Sequence, residues 1–171
     1  MKFRKLEKNL DNIKFLDCTF RDGGYYCKWK FPLEIINEYF STIKLVGVDI
    51  VEIGYRSIRS KEILGSCAYS SDDFLNQITN PYHLKIAVML NAYEIIEDDY
   101  KKKLEKLFPN NSLNTPLSIV RIASDFNNID KLKSPIDWLK NMGFIVCVNI
   151  THSSDLSNTD INKISYSLNN C

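Results

Sequence analysis

Leu16-Asp17-Cys18-Thr19-Phe20-Arg21-Asp22-Gly23-Gly24-Tyr25-Tyr26 is the stretch on which the reading of this chain turns. It begins inside a short apolar run, Ile13–Cys18, that has strand character. A carboxylate placed just past a strand end suits a hard divalent cation, and paired glycines let backbone come close to a ligand. An arginine beside that carboxylate can neutralise an enolate or oxyanion. The same residues also read as a salt-bridged turn from strand to helix, with glycine supplying a positive φ. Spacing alone leaves both readings open.

Further along, the hydrophobic runs alternate in type. Strand-like runs follow at Val48–Ile53, Lys85–Leu90, Leu117–Ala123 and Phe144–Ile150. Between them lie stretches with helical spacing: Leu33–Val46, Tyr93–Phe108, Ile129–Met142 and Asp160–Leu168, with a shorter one at Ser71–Thr79. Pro32 opens the first of these, Gly47 is placed to close it, and Ser71 is a candidate N-cap. Strands alternating with helices predict an α/β fold with a parallel sheet and right-handed crossovers. A doubly wound sheet and a (β/α)8 barrel share that signature. A complete barrel needs eight units and about 250 residues. Five units in 171 residues favour a doubly wound sheet on length alone.

Composition narrows the function. Lys plus Arg is 22 and Asp plus Glu is 21, so nothing in the charge points to nucleic acid or a membrane surface. No run approaches the roughly 18 to 20 apolar residues of a membrane span, and Met1 to Lys14 is too charged for a signal peptide. The cysteines Cys18, Cys27, Cys67, Cys147 and Cys171 are odd in number and contain no CxxC pair, which predicts reduced thiols and a cytoplasmic location. No phosphate-binding glycine loop follows any strand, and no histidine neighbours Cys18 or Cys67 to activate a thiolate.

Polar residues gather where each strand ends, the edge at which parallel α/β folds place their sites. The second run leads to Glu52-Ile53-Gly54-Tyr55-Arg56-Ser57, the third ends at Asn91, the fourth holds Arg121, and the fifth ends at Asn149-Ile150-Thr151-His152. Lysine outnumbers arginine 17 to 5, yet Arg21, Arg56 and Arg121 all fall in or next to strand ends. The forked guanidinium binds carboxylates in a way lysine cannot copy, which points to an anionic ligand. Tyr25, Tyr26, Trp29 and Phe31 are expected to wall a pocket or cover the sheet.

The opening stretch resembles the first motif of the metal-dependent aldolase and lyase superfamily, which includes HMG-CoA lyase, 4-hydroxy-2-oxovalerate aldolase, isopropylmalate synthase and the pyruvate carboxyltransferase domains. Gly47-Val48-Asp49-Ile50-Val51-Glu52-Ile53-Gly54-Tyr55-Arg56-Ser57 and Ala68-Tyr69-Ser70-Ser71-Asp72-Asp73-Phe74-Leu75 are similar to the same branch, nearest to bacterial aldolase catalytic domains. The resemblance replaces the doubly wound sheet with a (β/α)8 TIM-barrel type fold. Residues 1–171 then form the N-terminal part of one such domain, truncated to about five βα units.

The resemblance also implies a chemistry. A divalent Mg²⁺ or Mn²⁺ ion chelates a small-molecule 2-oxo acid and stabilises the enolate left by carbon–carbon cleavage. By position, Asp22 is the metal ligand, Arg21 stabilises the enolate oxygen and Glu52 is a polar or acid–base group. Arg56 and Asn149 are the candidate substrate-binding residues. Relatives often carry a histidine soon after Arg-Asp-Gly; here that place reads Gly24-Tyr25-Tyr26-Cys27, which makes Tyr25 the catalytic candidate. The superfamily's His-x-His metal pair has no counterpart. His83 falls at the opposite end of the strands, and His152 follows the fifth strand at the correct rim, as a ligand neighbour or a plain loop residue. Two expectations about partners follow. The chain either is completed by a C-terminal half or self-associates, and the rival to an enzyme is an incomplete barrel serving as a binding or assembly module.

Overall fold

A computed structural model describes residues 13–58 and 62–169. The segment before Ile13, on which the signal-peptide reading largely rests, lies outside these residues, as does Cys171. Five strands are present: β1 (Leu16–Asp17), β2 (Ile50–Tyr55), β3 (Lys85–Asn91), β4 (Leu117–Ser124) and β5 (Ile145–Ile150). All pair in parallel, in the order β1-β2-β3-β4-β5. A doubly wound sheet reverses its strand order at a switch point. This one never reverses, and it curls into a half-barrel with helices between the strands. The barrel-type reading holds and the length-based preference falls.

The helices are α1 (Thr19–Cys27), α2 (Leu33–Thr42), α3 (Asp72–Leu75), α4 (Tyr100–Leu107), α5 (Lys133–Asn141) and α6 (Asn158–Asn169). Their apolar faces meet one face of the sheet, where Ile36, Phe40, Val51, Ile53, Val88, Leu90, Val120 and Ile122 form one buried core. The alternate strand residues Glu52, Ala87, Met89, Ile119 and Arg121 lie outside that core cluster. They belong to the concave face.

Strands β2 to β5 and helix α6 match expectation to within two residues, and β1 is shorter than the run Ile13–Cys18. The remaining differences have local causes. The run Leu33–Val46 is helical to Thr42 and tightens into a 3₁₀ turn over Ile43–Val46, closed by Gly47 at φ 92°. Ser71 caps α3, accepting the Phe74 amide, but that helix lasts a single turn. The fifth helix begins at Lys133, not at Ile129. Pro135 has no N–H to bond back into a preceding turn and is tolerated only near a helix start. Residues Phe126–Leu132 are therefore a 3₁₀ stretch. Likewise α4 starts at Tyr100, because the segment from Tyr93 is held on the rim by Glu94, which accepts the Ile58 amide at 2.8 Å.

The largest difference concerns the opening motif, which is helix and not turn. Neither Gly23 nor Gly24 has a positive φ. Gly24 is buried, and a Cβ there would collide with the indole of Trp29, whose Nε1–H donates to the Arg21 carbonyl at 3.0 Å. The glycine is required by close packing. The left-handed residues that end α1 are Lys28 and Trp29.

Candidate active site

The site grows from Glu52, a charged residue in the middle of β2 with no exposed surface. A buried carboxylate must be paired or its ionised form is expelled. Two arginines pair it. Arg21 Nε, from the first turns of α1, and Arg121 Nη1, from β4, donate to Glu52 Oε2 at 2.8 and 2.9 Å. The second oxygen, Oε1, is buried without a partner among the described residues. Arg121 has further N–H groups, and no acceptor for them is found among the described residues.

A bulge widens this face. The pairing of β2 with β3 shifts between Glu52 and Gly54, so Tyr55 lies level with Met89 and, across β4, with Arg121. Without the extra residue, Glu52 and Tyr55 would face opposite sides of the strand. With it, both lie beside Arg21. Gly54 is needed at the bulge, since a Cβ would collide with the Cys67 carbonyl.

Arg21 also meets Asp22, Nη1 to Oδ1 at 2.6 Å. Burial works against its charge, but Glu52 and then Asp22 hold the guanidinium proton more tightly than usual. Asp22 is half exposed at the rim, and its Oδ2 accepts the Cys18 thiol at 3.1 Å. Burial and then Asp22 raise the pKa of Cys18, so its thiol stays protonated. A divalent ion needs several hard donors around one point. No group of three His, Cys, Asp or Glu side chains among the described residues is placed to hold one. Asp22 supplies one rim carboxylate already engaged by Arg21, so these residues alone do not fit a bound Mg²⁺ or Mn²⁺.

Tyr25 stands on the exposed side of α1, its hydroxyl 2.6 Å from that of Tyr55. Burial and the Tyr25 partner push the Tyr55 phenol well above its ordinary range, with Arg21 pulling the other way. Tyr26 points to solvent, and Phe31 packs edge-on against Phe20.

No family model matches the chain, and no curated protein matches it. Among solved structures it is similar to the "N-terminal domain of a putative aldolase from Bacteroides vulgatus", with 26% identity over 92% of this chain and a TM-score of 0.70. The chain is aldolase-like in fold. It spans 60% of the length of that solved chain.

Within this aldolase-like frame, Arg21, Asp22 and Glu52 come together, and Tyr25 joins them through Tyr55. Asn149 lies at the far end of the same face, level with Ala123 and through it with Asn91. Arg56 does not join them. It is 1% exposed, and its guanidinium is used up by Asp72 Oδ1 at 2.6 Å, the carbonyls of Ser70 and Leu107, and the ring of Phe108. Its role is to tie β2 to the helix side of the sheet, in place of the expected contact with substrate. His152 is exposed in a left-handed turn, and His83 precedes β3 at the opposite end. Burial pushes the Cys67 thiol up to about 12, so it stays protonated. Tyr55 and the turn residues Tyr93 and Glu94 were not singled out as site residues in the sequence. The bulge that brings Tyr55 in leaves no signal beyond the Gly54 beside it.

Proposed function

We propose that the chain is the N-terminal half of a carbon–carbon lyase of the 4-hydroxy-2-oxovalerate aldolase type, acting on a 2-oxo acid through its enolate. The observation that carries this reading is Glu52, buried at the sheet's concave face, paired with two arginines and left with one oxygen unpartnered among the described residues. The similarity to an aldolase N-terminal domain supports it.

In such a cleavage the bond between C3 and C4 breaks, the electron pair stays on C3 as an enolate, and the 4-hydroxyl proton passes to a base as the aldehyde leaves. The free N–H groups of Arg121 suit the substrate carboxylate, which a fixed guanidinium fork holds better than a lysine. Arg21, locked by Glu52 and Asp22, is a preorganised donor for the enolate oxygen. Glu52 keeps both cations in place from beneath the surface, where it has no exposed area of its own. Tyr25, whose hydroxyl meets that of Tyr55, follows Arg-Asp-Gly in the sequence where relatives often carry a histidine, and takes the catalytic candidacy. Mg²⁺ or Mn²⁺ enters this reading only with donors from outside the described residues, so none of these roles depends on it. The same gap favours a second reading, an incomplete barrel that works as a binding or assembly module.

The test is solvent-deuterium exchange into C3 of pyruvate, followed by proton NMR with and without diamagnetic Mg²⁺. Exchange above the buffer rate is expected without the ion, with a loss of roughly 10²-fold in Arg21→Lys, the order seen on removing one preorganised donor. Equal exchange by both proteins contradicts the role of Arg21. Binding of pyruvate without exchange favours the module.

A further inference from the structure

Beside the Glu52 centre lies an open cleft of about 580 Å³, within the size range of small-molecule sites. Its walls are unusually aromatic, with Tyr25, Trp29, Tyr55, Tyr69 and Tyr93 all contributing. Three of these rings form one edge-to-face wall. Tyr25 and Trp29 are 4.8 Å apart at 63°, Trp29 and Tyr55 5.7 Å at 88°, and Tyr25 and Tyr55 6.3 Å at 83°. Tyr93 remains 68% exposed and Tyr25 61%, so large ring surfaces are left to water at the rim of a parallel sheet.

The cation in the cleft wall is already paired: Lys103 Nζ is held by Glu97 at 2.6 Å and Asp99 at 2.8 Å. Glu94 accepts the Ile58 amide and meets no cation among the described residues, which disfavours an anionic ligand. Arg21, behind Tyr55, is claimed by Glu52 and Asp22. What the cleft offers a ligand is therefore ring surface and hydroxyls. In the Tyr25–Tyr55 pair one hydroxyl donates to the other, which leaves one O–H free to donate to a neutral acceptor such as a carbonyl.

From this we propose that the cleft is a binding subsite for an uncharged aromatic ring carrying a carbonyl group. The inference rests on the proposed function in one respect, that the ring belongs to the aldehyde half of the substrate. Aromatic pairs attract beyond the area they bury, by about two- to tenfold in affinity, so an aryl ligand is selected over a small alkyl one of equal polarity.

The experiment uses acetophenone, acetone and tetramethylammonium as unreactive probes, with the indole N–H signals of Trp29 and Trp138 followed by NMR. Trp138 lies on α5, away from the cleft, and serves as internal control. Acetophenone is expected to shift Trp29 alone and to bind about tenfold or more tightly than acetone. Tyr93→Ala, a change at an exposed side chain, is expected to weaken acetophenone by about the same factor while leaving the fold intact. Tyr55→Phe removes a hydroxyl and is expected to weaken acetophenone more than toluene. No shift at Trp29, equal binding of acetone, or tighter binding of tetramethylammonium each overturns the proposal. None of these outcomes depends on turnover. Ring binding without any 2-oxo acid exchange counts against the proposed function alone, and exchange without ring binding counts against the subsite alone.

Discussion

Arg21 and Arg121 reach the same atom. One comes from α1 and the other from β4, and both donate to Oε2 of Glu52, at 2.8 and 2.9 Å. Two cations on one buried anion leave its other oxygen without a partner among the described residues. Arg21 also meets Asp22 at 2.6 Å, and Arg121 meets no second carboxylate among the described residues.

Replacing Glu52 by Gln tests how far this centre depends on the carboxylate. The change keeps the shape but removes the charge that both guanidinium groups need. Breaking a buried pair by removing one partner costs about 3 kcal/mol or more. Urea denaturation is expected to show a loss of that order with an unchanged slope. Stability equal to wild type would mean the arginines are held by solvent and not by Glu52.

The Arg56–Asp72 pair makes a prediction about pH. Burial raises the carboxyl pKa of Asp72, but Arg56, Asn110 and Thr115 outweigh it and hold the group below its usual range. Because the folded pKa lies below the unfolded value of about 3.9, the pair's stabilisation is present above that value. It is lost as pH falls through the folded pKa. Denaturation midpoints are expected to drop in that acidic window for wild type, and to drop less for Asp72→Asn. The variant should already be less stable at neutral pH.

Gly24→Ala isolates the packing of the opening motif. Gly24 is helical, so alanine meets no backbone strain there. Its methyl group instead displaces the Trp29 indole and with it the bond to the Arg21 carbonyl. Overpacking of this kind costs about 1–3 kcal/mol. Tryptophan fluorescence should shift at the same time. A fully stable variant with unchanged emission would show that the indole moves aside freely.

The sheet's edges predict association. Among the described residues β1 pairs only with β2, and β5 only with β4. Ile13, Phe15 and Ile145 are each about half exposed there, and Cys147 is exposed beside them. Unpaired strands with apolar neighbours act as templates for another chain. Light scattering on the 171-residue chain is expected to show self-association, reduced by Ile145→Lys. A compact monomer with cooperative unfolding would show that these edges are covered in some other way.

The sheet was legible because each strand carries β-branched runs, and the helices because their apolar spacing is regular. Barrel-type curvature was not legible from periodicity. It came from the motif around Arg21, whose resemblance outweighed the length argument. That motif's helix was missed because two adjacent glycines ordinarily break one; here Gly24 exists to admit Trp29. Arg21, Asp22 and Glu52 were singled out from their place at strand ends, and the structure brings the three side chains into contact. Arg56 was misread because its position at a strand end is the same as theirs, and only tertiary packing shows Asp72 and Phe108 enclosing it. Tyr55 escaped notice because a bulge sets its face, and bulges follow from strand pairing, which a single chain's pattern does not display.

In the proposed function the arginines of this face hold a 2-oxo acid. NMR of the arginine side-chain Nε–H groups during a pyruvate titration reads that contact directly. Saturable shifts are expected at Arg121 and Arg21, none at the enclosed Arg56, and a loss of the response in Arg121→Lys. Shifts that never saturate, or that appear equally at Arg56, would contradict this role of the arginines.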